Sequence, residues 1–159
     1  MVQAASRVNG LMERLLRCGA LGVLLLGLAA CAVRPEVTAP PEPVEIAADS
    51  PAASLLDAAR AARSRGDLSA AGRSLERALS MGRGQDTTVL YRELADLRLE
   101  EGQPRAAEGL AMRALREAPA NPGWQAELWE LVAVARDRQG DEAGRDAARD
   151  NAKRLREAP

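Results

Sequence analysis

Along residues 52–159, apolar side chains recur at intervals of three and four, the period of a helix with one buried face. The small residues among them repeat at a longer range. Ala59 is followed by Gly66, Ala71 and Ala78, and Ala95 by Gly102, Ala107 and Ala114, with the same steps of seven, five and seven. A third, worn set runs Ala133, Gly140, Arg145 and Ala152. Leu55 and Ala58, Tyr91 and Leu94, and Trp129 and Val132 precede the three sets in register. The pattern predicts helices over 52–64, 69–81, 87–100, 104–117, 122–138 and 142–156, and no segment shows the two-residue alternation of a strand. The glycines fall where the chain must reverse, because glycine accepts a left-handed backbone at little steric cost. Asp67 or Ser69, and Asp141, offer oxygens to the free amides of the helix that follows. Ser50-Pro51 and Asn121-Pro122 place a cap residue ahead of a proline at a helix start.

These residues resemble the tetratricopeptide repeat (TPR), a helical hairpin of about 34 residues. The glycines lie 36 residues apart (66 to 102) and then 38 apart (102 to 140), so each connection carries a short insertion. Pro119 matches the proline that often closes such a unit. The expected fold is all-α, a TPR-like solenoid of about three hairpins; the competing fold is an irregular alanine-rich bundle. Leu55, Ala59, Leu75, Ala78, Leu79, Leu94, Ala95, Leu97, Leu110, Ala111, Leu115, Leu128, Trp129, Leu131, Val132 and Leu155 are the expected core. Aromatic residues are 2% of the chain and phenylalanine is absent, so this core rests on alanine and leucine. The last helix, with Arg145, Asp146, Arg149 and Asp150, is polar enough to cap a solenoid.

The first 51 residues follow another pattern. Arg7, Arg14 and Arg17 precede an apolar run from Ala20 to Ala30, too short to span a bilayer and of the length of a secretory signal core. Leu28-Ala29-Ala30-Cys31 resembles the lipobox of bacterial lipoproteins, which implies cleavage after residue 30 and acylation of Cys31. Either Met1 or Met12 is the start. Cys18 leaves with the signal, so the mature chain keeps no free thiol. Ala32 follows the cysteine, and in lipoproteins of this kind the absence of an aspartate there implies carriage to the outer membrane. Residues 31–51 hold five of the nine prolines and no apolar period. They are expected to form an extended linker, reaching at most roughly 60 Å at about 3.1 Å per residue. The expected organisation is a signal peptide over 1–30, the lipidated cysteine and linker over 31–51, and the helical domain over 52–159.

Charge and composition narrow the function. Residues 52–159 hold 18 basic and 18 acidic side chains, and 17 of the basic ones are arginine. This balance provides no basic stripe for nucleic acid. The chain has no histidine, the serines have no visible base partner, and Glu100-Glu101 and Asp141-Glu142 fall at helix ends. Gly82-Arg83-Gly84-Gln85 is a plain connection. No catalytic residue, metal site, cofactor or small-molecule substrate is expected, and the chain is not expected to be an enzyme.

A binding surface remains. In TPR proteins the first helix of each pair lines a groove that holds a partner polypeptide. That resemblance points to Arg60 and Arg63, then Arg92, Asp96 and Leu99, then Glu127, Glu130 and Asp137, a groove basic at one end and acidic at the other. Trp124 is either a further contact or a hydrophobic staple at a helix start. The layout, with stretches such as Ala61-Ala62-Arg63-Ser64-Arg65-Gly66-Asp67-Leu68 and Leu94-Ala95-Asp96-Leu97-Arg98-Leu99, resembles the LpoP family. Its members are outer-membrane lipoproteins that activate a class A penicillin-binding protein (PBP). The resemblance implies a protein partner of that class and attachment to the membrane through lipid. A TPR lipoprotein of type IV pilus or secretin assembly is the alternative, and a cell-wall hydrolase is a third reading that the absent histidine disfavours.

Overall fold

The computed structural model describes residues 43–157; the expected signal peptide, Cys31 and the linker up to residue 42 lie outside them. Six helices follow: α1 (Ala53–Ser64), α2 (Leu68–Met81), α3 (Gln85–Glu100), α4 (Pro104–Glu117), α5 (Pro122–Asp137) and α6 (Glu142–Glu157). They pair as three antiparallel hairpins, α1/α2, α3/α4 and α5/α6. The second helix of each of the first two pairs also packs on the first helix of the next. No strand occurs among the described residues. The fold is all-α, as the repeat implies.

The seams are made of alanine. Ala59, Ala71, Ala78, Ala95, Ala107, Ala114, Ala133 and Ala152 are each exposed by 1% or less. A methyl group at these positions lets the backbones approach closely, and Leu75, Leu90, Leu97, Leu128 and Val132 fill the space between the seams. At the reversals Gly66, Gly102 and Gly140 take φ of 78°, 73° and 77°, where a side chain would be strained. The Asp67 carboxylate accepts from the Ala70 amide (2.9 Å), Asp141 from Gly144 (2.9 Å) and Asn121 from Trp124 (3.0 Å). The Asp67 carboxyl is held below its usual range, first by the Ala70 amide and then by the Ser69 hydroxyl.

Some core positions differ from expectation. Leu56, not Leu55, is the buried leucine of α1, and Leu79, Leu110, Leu115 and Trp129 are half-buried at the edges of the clusters. Arg145, at the worn alanine position of the third set, lies half-buried beside Asp137, and Ala148 makes the close contact instead.

The larger difference lies before α1. The packed body begins upstream of residue 52. Val44 is buried in the same apolar cluster as Leu56 and Val89, and Ile46 packs against that cluster. The Gln85 side-chain amide donates to the Glu45 carbonyl (3.2 Å). Ser50 does not begin the helix. Its hydroxyl donates to the Asp86 carboxylate and accepts from the Ala52 amide (3.3 Å), closing a turn before α1. Val44 and Ile46 stand two residues apart, so in extended chain they share one face. That pair outweighs the stiffening effect of Pro43 and Pro51.

Candidate functional site

The first helices of the three pairs bring part of the expected groove together. From α1, Arg60 and Arg63 reach across to α3 and meet on Glu93. Arg60 donates from Nε (3.2 Å) and Nη2 (2.6 Å) to Oε1, and Arg63 from Nη1 (3.2 Å) to Oε2. Glu93 is 6% exposed, so both its oxygens require charged donors. Arg63 also forks onto Glu100, and that hydrogen bond is the main reason its guanidinium is held further toward the charged form. The network joins the first hairpin to the second.

Next to Glu93 on α3, Arg92 lies 3.9 Å from Asp96, one turn further on, and its guanidinium sits 5.5 Å from the centroid of the Trp124 ring. Burial pushes the Asp96 carboxyl up, against the pull of Arg92 and Arg63. Trp124, three residues after the Asn121 cap of α5, is 8% exposed. Its indole N–H donates to the Thr88 hydroxyl (3.3 Å), which donates to the Ala114 carbonyl (2.9 Å). This buried chain ties α3, α4 and α5 together with no donor wasted.

Above these residues opens a cleft of about 310 Å³. Arg60, Arg92 and Glu127 contribute one side chain from each first helix, Trp124 closes one end, and Pro43, Val44 and Glu45 form a wall. A second hollow of about 270 Å³ shares Val44, Glu45 and Arg60 with this cleft and is also lined by Leu56 and Val89. Cations, carboxylates and an aromatic ring within one cleft suit a polypeptide.

Of the expected groove residues, Arg60, Arg92 and Glu127 line this cleft, and Arg63 and Asp96 belong to the charge network beside it. The other three lie elsewhere. Leu99 is 6% exposed and packs in the core between the second and third hairpins. Glu130 pairs with Arg156 and Asp137 with Arg145, each at 3.0 Å, so both are engaged by α6. The acidic end of the groove is thereby neutralised within the third hairpin, and the basic end is neutralised by Glu93 and Glu100. Glu93 itself escapes sequence reasoning, since nothing local separates it from the other glutamates of α3. Thr88 is missed for the same reason. Glu93 and Thr88 are recognisable as cross-hairpin residues only once α1 and α5 are placed.

No protein-family model matches the chain, and no curated protein matches it. Among solved structures, the globular C-terminal domain of P. aeruginosa LpoP is similar, with a TM-score of 0.62 and 38% identity over 69% of this chain and 99% of that domain. A likeness of this level across nearly the whole of a solved domain, carried by a shared helical fold, places the chain in the LpoP family.

Proposed function

We propose that the protein is an outer-membrane lipoprotein whose helical domain binds a class A PBP and activates its glycan synthesis. The observation that carries this reading is the alignment with LpoP, which covers 99% of that domain at 38% identity. The lipobox-like Leu28-Ala29-Ala30-Cys31 and the proline-rich stretch after it support attachment by lipid through a spacer. Three lipid chains on Cys31 make a durable anchor where one does not. The domain acts by contact and not by catalysis. Activation requires that it bind the active conformation of the synthase more tightly than the inactive one.

The cleft at Arg60, Arg92, Trp124 and Glu127 is the contact surface on this face. No observation favours the pilus or secretin alternative. The test measures affinity between the full-length protein in detergent and the synthase. Wild type binds, and Arg92→Glu with Glu127→Arg weakens binding by about tenfold with helicity unchanged. Absence of binding by wild type overturns the reading. Replacing Cys31 by alanine releases the protein from the membrane; retention after that change removes the lipid anchor from the proposal.

A further inference from the structure

The opposite side of the hairpin stack carries a second cleft. It lies between α2 and α4, with α3 as its floor, and measures about 400 Å³. Tyr91, Leu94 and Leu110 give it an apolar base. Its charge is unbalanced. Arg98, at the edge, is satisfied by Glu76 (3.0 Å) and Glu101 (2.6 Å). Arg105 and Arg113 are exposed, line the cleft, and have no carboxylate partner among the described residues.

Midway between those two arginines, on the same stripe of α4, stands Gly109. Glycine inside a helix costs roughly 1 kcal/mol relative to alanine. Nothing inside the molecule requires it here, for a Cβ at this position meets no atom within 4 Å. The bare backbone leaves a flat place between two unpaired cations, open to close approach from outside.

We infer that this cleft is a second docking surface, for an acidic amphipathic helix of a partner protein. The helix backbone rests over Gly109 and its apolar side chains lie on Leu110 and Tyr91. Two carboxylates two turns apart meet Arg105 and Arg113, since eight residues of helix span about 12 Å. Pairing of this kind fixes register and orientation. The further identification of the partner as the synthase rests on the proposed function; the charge and shape of the cleft do not.

The experiment uses the full-length protein in detergent with two probes: a synthetic Glu/Leu-rich amphipathic helical peptide, and the class A PBP. Wild type is compared with Arg105→Glu/Arg113→Glu, with Gly109→Trp, and with Gly109→Ala as a control that keeps the helix. The double charge reversal and the tryptophan each weaken peptide binding by about tenfold or more, with helicity and Tm retained. Gly109→Ala has a smaller effect. Equal peptide binding by wild type, the double reversal and the tryptophan variant overturns the second surface. So does competition by phosphatidylglycerol vesicles for the same arginines, which makes the ligand a membrane. Peptide binding that depends on the arginines, with no affinity for the PBP, upholds the surface and overturns the synthase reading. A PBP complex untouched by these variants, with peptide binding that is also untouched, does the reverse.

Discussion

On the face built from α1, α3 and α5, Arg60, Arg63 and Arg92 each lie against a carboxylate or a ring of the same chain. On the face built from α2 and α4, Arg105 and Arg113 line a cleft and pair with no carboxylate among the described residues. Arginine is common throughout the domain, so its presence on a face says little. The first face spends most of its charge on joining hairpins, and a partner there meets a surface already organised by Glu93. The second keeps two positive charges over an apolar base for something outside the molecule. Structural charge and recognition charge thus differ in whether the arginine is paired within the domain.

The strongest way to break this comparison is to remove what holds the first face together. Trp124→Ala takes away a nearly buried ring and leaves Thr88 with one partner fewer. The expected loss is about 3–5 kcal/mol, read by urea unfolding. A smaller loss would show that the third hairpin docks on α3 without the indole. Glu93→Ala comes next, at about 2 kcal/mol. The cost stays moderate because Arg60, with a side chain 54% exposed, returns to water when its acceptor is gone.

On the second face the same kind of change leaves stability nearly untouched. Arg105→Glu with Arg113→Glu alters it by less than about 0.5 kcal/mol, measured by the same unfolding experiment. A large loss there would mean that these arginines hold the fold after all.

The smallest effect concerns Asp96. Its folded-state pKa is raised by burial, so the ionised carboxylate disfavours the folded state at neutral pH. For a carboxyl shifted upward, the folded state is relatively favoured below the unfolded value, and that advantage is lost as pH rises through the folded value. Asp96→Asn therefore raises Tm slightly at pH 7, and the difference from wild type narrows as the pH falls into the acid range. A variant less stable than wild type at pH 7 would show that the Arg92 and Arg63 attractions outweigh burial.

The repeat was legible because it depends on residues with few substitutes. A reversal with positive φ calls for glycine at 66, 102 and 140, and a close seam calls for alanine at 59, 71, 95 and 107. Helix rotation was less legible. Neighbouring residues differ by about 100° around a helix, so Leu55 and Leu56 are equivalent until α3 is in place. The same ambiguity misplaced Leu99 in the groove, where the real rotation of α3 turns it into the core. The repeat alone points Glu130 and Asp137 into the groove, and their partners on α6 come from a hairpin whose sequence departs from the pattern. Val44 and Ile46 were hidden by the prolines around them. Their burial depends on Leu56 and Val89, far along the chain.

The activity proposed for this domain is activation of a synthase by contact. The direct measurement is the rate of glycan polymerisation by the class A PBP in detergent, with and without the full-length protein. Wild type is expected to raise the rate several-fold, and Arg92→Glu with Glu127→Arg, folded as wild type, is expected not to. A rate unchanged by saturating wild-type protein would contradict the proposed activation.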